Sequence, residues 1–266
     1  MNIERIYAIF LRSFYLYRRN LTRLSNLFLW SIMDILMWGF ISRYLDQSDQ
    51  SHFSFLTAFL GAIILWNFLI RVQQGIIMVF FEDMWTQNFF NLFASPLRVS
   101  EYVMGLVTSG IATSIIALLL MGVLAVSLFA YNITALGLLA LPLLAILFVF
   151  GMALGIFTAA IVLRLGPSAE WLAWPIPAVI GPFAGIFYPV ASLPLFLQPL
   201  SKILPPSYAF EAMRTVLAGG ALPTGHLLVG LGLAFVYLLA AALFFAYIYR
   251  VVLKNGLLTR FSAESL

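Results

Sequence analysis

The chain lacks cysteine altogether, and only 9% of its 266 residues are charged. The first absence excludes disulfides and cysteine-held metals. The second excludes an ordinary soluble domain, in which roughly a quarter of residues carry charge. Lysine is confined to Lys202 and Lys254, and no glycine-rich loop ends in Gly-Lys-Ser or Gly-Lys-Thr. A P-loop that cradles ATP phosphates is therefore excluded. The two histidines, His52 and His226, fall in connecting segments without neighbouring metal ligands, and no serine–histidine or paired-carboxylate arrangement stands at catalytic spacing. The chain is not expected to be an enzyme, to hold a metal or cofactor, or to bind nucleic acid. Arg5, Arg12, Arg18 and Arg19 interrupt the first apolar run and no small-residue cleavage site follows, so no cleavable signal peptide is expected. There is also no internal repeat or low-complexity tract.

What the chain has in abundance is apolar sequence. Hydrophobic residues make up 63% and the mean hydropathy is +1.04, the composition of a polytopic membrane protein. Long apolar stretches predict spans over about 24–44, 53–80, 103–130, 136–163 and 227–250. One more segment, 171–194, fifth in chain order, is unlike the others: Pro175, Pro177, Pro182, Pro189 and Pro194, with Gly181 and Gly185, oppose a straight helix. The fold class expected is all-α and integral to the membrane, one permease-like domain of six spans.

Three segments do not read as spans. Residues 1–22 place Ile3, Ile6, Tyr7, Phe10, Phe14 and Tyr17 on one helical face, with Arg5, Arg12 and Arg19 turned away toward anionic headgroups, which predicts an interfacial helix. Residues 81–98 predict a second amphipathic helix, closed by Ser95-Pro96. Its polar side carries Glu82, Asp83, Thr86, Gln87, Asn88 and Asn91, the two carboxylates in its first turn. Its apolar side carries Trp85, Phe89, Leu92 and Phe93. Residues 193–220 are too proline-broken to span and too greasy for an exposed loop. They predict two short re-entrant helices, Ser207 capping the second and Gly219-Gly220 ending it.

Arginine and lysine fix the orientation. Arg5, Arg12, Arg18, Arg19, Arg23, Arg98, Arg164, Arg250, Lys254 and Arg260 fall on the side of the termini, and only Arg43, Lys202 and Arg214 on the other. The positive-inside rule puts both termini and residues 81–98 in the cytoplasm.

Two motifs then carry a resemblance. FFEDMWTQNFFNLFASPLRVSEYVMG (80–105), and YPVASLPLFLQPLSKILPPSYAFEAMR (188–214) before the last span, follow the N-terminal amphipathic helix in this order. The chain resembles the membrane subunits of type-2 ATP-binding-cassette exporters of the bacterial inner membrane. The resemblance implies a homodimer of permeases and two ATPase subunits that hold ATP and Mg. It makes residues 81–98 a coupling helix, with Glu82, Asp83, Trp85, Phe89, Phe93 and Pro96 at the contact. Tyr188, Pro189, Pro205, Pro206, Glu211 and Arg214 would belong to the outer gate. Transport outward by alternating access, of an amphipathic, lipid-like or glycan substrate, is the function implied.

Duller readings stand beside these. Glu82 and Asp83 also suit a helix cap, Phe89 and Phe93 the protein's own inner face, and Glu211 with Arg214 a local pair. Asp34 and Arg71 lie inside spans, where ionisable residues are functional candidates. They are expected to pair, or else to bond Ser31 and to snorkel. A proton-coupled transporter or channel working through Asp34 is the rival function; a membrane-bound lipid transferase lacks the acidic or histidine cluster its chemistry needs. Gly151 and Gly155 form a G-x-x-x-G that permits close helix approach, within the chain or between two copies.

Overall fold

Helices that are apolar all round must be buried in protein or in lipid, and this chain folds into a stack that uses both. The computed structural model describes residues 2–19, 21–48, 55–131, 137–257 and 261. Among the described residues ten α-helices run in order: α1 Ile3–Arg19, α2 Leu21–Ser48, α3 Phe55–Trp85, α4 Phe89–Ala94, α5 Val99–Phe129, α6 Ala140–Leu165, α7 Pro175–Ile180, α8 Gln198–Lys202, α9 Pro205–Leu217 and α10 Thr224–Lys254. Among the described residues there is no strand. The fold is that of an all-α membrane protein.

Segments 58–85, 99–129, 137–165 and 224–254 are long and apolar enough to cross a bilayer. Those in α3 and α6 are mostly buried, while α5 and α10 flank them with their outer faces exposed. α2 leans on α3 and α5, and α9 packs into the angle between α6 and α10. At about 1.5 Å per residue the 31 residues of α3 extend about 46 Å. That exceeds a hydrocarbon core of about 30 Å.

The six-span count also requires α2 and the proline-rich segment. The latter runs as a 3-10 helix Pro167–Ala173, then α7, then a 3-10 turn Gly181–Phe183. At roughly 2.0 and 1.5 Å rise these pieces reach about 30 Å. They follow α3 in reverse: Glu170 bonds Trp85, Ala173 bonds Gln73, Gly181 lies beside Trp66, and Phe187 meets Phe59. The breaks have a cause. Pro177 has no N–H to give the Ala173 carbonyl four residues earlier, and the Gln73 amide supplies the missing donor at 3.0 Å.

Small residues let α3 sit at the centre. A methyl group on Gly151 would stand 2.9 Å from Val72 Cβ and 3.0 Å from the Leu69 carbonyl oxygen. One on Gly155 would stand 2.9 Å from Ile76 Cβ. The G-x-x-x-G of α6 thus seats α3 within the chain. Gly155→Ala is expected to cost about 1–3 kcal/mol through overpacking, read as a lower unfolding temperature in detergent. Gly232→Ala, on α10 with nothing within 4 Å, is expected to gain about 0.5–1 kcal/mol.

Candidate functional site

The side of the molecule carrying α1 also carries the end of α3, the corner 86–98 and the start of α5. The corner differs from its expected form. Residues 81–85 are the last turn of α3, and α4 holds only six residues. α3 stops in a Schellman motif: the Asn88 N–H bonds the Asp83 carbonyl at 2.8 Å and the Gln87 N–H bonds that of Met84 at 3.0 Å. Gln87 takes φ +54 at the position where glycine is usual.

Glu82 and Asp83 therefore lie at a helix C-terminus, where the dipole opposes negative charge. Asp83 is 1% exposed and offset by partners: Arg12 Nη1 at 2.5 Å, the Tyr102 O–H at 2.9 Å and the Asn88 amide at 3.1 Å. Burial pulls the Arg12 pKa down, but the hydrogen bond and charge of Asp83 outweigh it and the net shift is upward. Glu101, also buried, performs the same task at the head of α5. It accepts from the backbone N–H groups of Asn2 and Arg98, at 2.7 and 3.0 Å, and from Arg5 at 3.2 Å. Reaching back to the N-cap N–H is half of a capping box. Arg5 also donates to the Pro96 carbonyl, and Ile9 packs over Gly105.

The expected orientation of α1 is corrected on this point. Arg5 and Arg12 turn inward onto Glu101 and Asp83, together with Ile6, Ile9 and Ser13, while Ile3, Tyr7, Phe14 and Tyr15 are exposed. The side chains of Tyr17, Arg19, Arg23 and Phe93, and residues His52, Asn132 and Arg260, lie outside the described ones.

The corner thus has an inside and an outside. Phe89 is fully buried between Phe80 and Phe261, and Asp83 is locked, so neither is presented at the surface. Glu82 is half-buried. Trp85, Thr86, Gln87, Asn91, Ala94, Ser95 and Pro96 are exposed, and the Trp85 indole donates to Glu170 at 2.8 Å. The residue-by-residue pattern did reveal Asn91 as polar and outward. It could not reveal Arg5 with Glu101, or Arg12 with Asp83, as matched pairs, because the partners are distant in sequence.

On the far side, Glu211 accepts the Val190 N–H at 2.7 Å and Arg214 at 2.9 Å, and Arg214 reaches the Ile186 carbonyl. Tyr188 donates to the Pro182 carbonyl at 2.6 Å, next to Pro189, the N-cap of the 3-10 turn Val190–Ser192. Pro205 and Pro206 occupy the first turn of α9, where a missing N–H costs nothing. Ser207 is consequently inside that helix, its hydroxyl on the Ser201 and Leu204 carbonyls, and Leu204 is the N-cap instead. Gly219, at φ +78, ends the helix as expected. Arg71 and Asp34 face one another at 4.0 Å, a loose pair, and Arg71 is held by Gln74 at 2.9 Å.

A model of the ABC-2 type transporter family matches residues 4–218, from α1 through the end of α9. The chain belongs to the ABC-2 type transporter family. It is thus an ABC-type transport permease and a multi-pass membrane protein, a transport component rather than a catalyst. Permeases of this family normally work with an ATP-binding-cassette subunit. No curated protein matches the chain.

Two stability outcomes follow from the corner. Arg12→Ala strands the Asp83 carboxylate. It is expected to cost about 2 kcal/mol, less than the roughly 3–5 of a fully buried pair because Arg12 is 30% exposed. Adding Asp83→Asn is expected to restore most of the loss in thermal unfolding, since the amide needs no counter-charge and still accepts the Tyr102 O–H. Gln87→Gly relieves the left-handed backbone and is expected to stabilise by about 1 kcal/mol.

Proposed function

We propose that this permease is the membrane half of an ATP-driven exporter whose ATPase subunit seats on the exposed rim of the corner. Trp85, Gln87, Asn91, Ser95 and Pro96 form that seat, and ATP and Mg are held by the partner. The arginine asymmetry supports a rim and termini that face the cytoplasm, with the far side facing out, and the membrane would be the bacterial inner membrane. Two permease copies and two ATPases make the working unit.

The observation that carries this reading is the bonding beneath the rim. Arg12, Asp83 and Tyr102, with Arg5 and Glu101, fasten the corner to α1, α3 and α5. A push on it moves those helices rather than bending a loop. α3 is in turn fastened twice to the broken run, through Trp85–Glu170 and Gln73–Ala173. Closure of the ATPases would shift α3, with α5 and α6 packed on it, and that run together against α10, and change access on the far side past residues 188–214. The substrate is amphipathic, lipid-like or glycan-bearing, and moves outward by alternating access.

A triple substitution, Gln87→Arg, Asn91→Arg and Ser95→Arg, tests the seat. The tagged wild-type permease is expected to bring down an ATP-hydrolysing subunit co-expressed with it. The variant is expected to lose most of that hydrolysis while unfolding at the same temperature. Hydrolysis retained by the variant, or absent from the wild type, would contradict the proposal.

A further inference from the structure

The broken run reaches from the rim to the far side with a joint in its middle. Its near half, Pro167–Ala173, meets Trp85 through Glu170. Its far half leads through α7 to Phe187, which packs on Trp38 and Phe59 with ring centroids 5.3 and 5.4 Å away. Trp174, between the halves, keeps helical angles, φ −80 and ψ −45, so the backbone passes the joint without a loop.

What the joint lacks is its own bonding. Pro175 and Pro177 have no N–H to give the carbonyls of Trp171 and Ala173. The first carbonyl accepts instead from the Trp174 N–H at 3.3 Å, in the tighter 3-10 pattern. The second accepts from the Gln73 amide at 3.0 Å, reached across from α3. Both ends of that bond are sealed, Gln73 at 1% exposure and Ala173 at 2%. The base of the Gln73 side chain is fixed: its backbone oxygen lies so close to α6 that a methyl group on Gly155 would stand 3.2 Å away. Its tip is not. Among the described residues Gln73 Oε1 has no donor, so the amide is anchored by a single bond and can turn with its acceptor.

We propose that residues 173–177 are the flexure of the transport cycle and that Gln73 is its positioning residue, a clasp that follows the Ala173 carbonyl as the run bends. A backbone N–H at position 177 would be tied to Ala173 by helix geometry, and bending would strand a buried carbonyl at membrane depth. A donor on a flexible side chain keeps that carbonyl satisfied through the swing. The bend has somewhere to go. Tyr188 holds the Pro182 carbonyl, and the Val190 N–H bonds Glu211 of α9, so motion of the far half arrives at residues 188–190. The inference rests on the transport reading for what drives the bend and not for the joint itself.

Pro177→Ala returns the missing N–H and supplies the test. In detergent, Gln73→Leu is expected to lower the unfolding temperature by about 2–4 °C in the natural chain, but by less than about 1 °C beside Pro177→Ala, where the backbone serves Ala173. Should Gln73→Leu alone fail to fold, the double variant is expected to fold. Spin labels at Trp171→Cys and Val179→Cys, 64% and 65% exposed on either side of the joint, read the bend in a chain with no other cysteine. In the ATPase complex, trapping with ATP and vanadate is expected to shift their separation when Pro177 is present. Pro177→Ala is expected to abolish that shift while unfolding at a higher temperature, an outcome that a merely structural Gln73 does not produce. Equal losses from Gln73→Leu in both chains, or a shift undiminished by Pro177→Ala, would overturn the proposal. The unfolding measurements use the permease alone, so their failure is distinct from a failure to capture an ATPase.

Discussion

A carboxylate buried at the wrong end of a helix is the constraint around which this permease is arranged. Asp83 sits in the last turn of α3, disfavoured by burial and by the helix dipole alike. It is tolerable only because Arg12 comes from α1, Tyr102 from α5 and Asn88 from the turn. Satisfying one charge therefore fixes four segments. Glu101 repeats the arrangement at the head of α5, tying in Arg5 and the start of α1.

The rest of the molecule divides into stiff and breakable parts. Close helix approach at Gly75, Gly110, Gly151 and Gly155 packs α3 tightly against α5 and α6. The proline-rich run opposite lacks several of its own helical hydrogen bonds and borrows one from Gln73. A rigid central helix tied to a jointed neighbour is a workable basis for passing a displacement from one to the other. On the far side, Glu211 and Arg214 pin the loop around Val190 onto α9.

Much of this was legible in the sequence. The apolar runs, the proline-broken fifth segment, the two short helices of 193–220 and the place of the corner all follow from composition and periodicity. The end of α3 did not, because Gln87 occupies a left-handed position that normally announces itself as glycine; Gly219, which does announce itself, was readable. Periodicity grouped Arg5 and Arg12 on one face of α1 but could not say what that face meets. Their carboxylates lie 96 and 71 positions along the chain, and a facing partner outweighs headgroup attraction. Phe89 looked like a contact residue for the same reason: an amphipathic pattern does not distinguish a partner's surface from the protein's own core.

Transmission through the corner, as proposed, requires it to move with α3 and α5 as one body when the ATPase acts. Paired spin labels in the cysteine-free chain test it directly. One pair joins Asn91→Cys to Met104→Cys on α5, and the other joins Asn91→Cys to Leu239→Cys on α10. Distances are measured in the ATPase complex before and after trapping with ATP and vanadate. The account predicts an unchanged distance for the first pair and a shift for the second. A corner that moves relative to α5 while keeping its distance to α10 would contradict it.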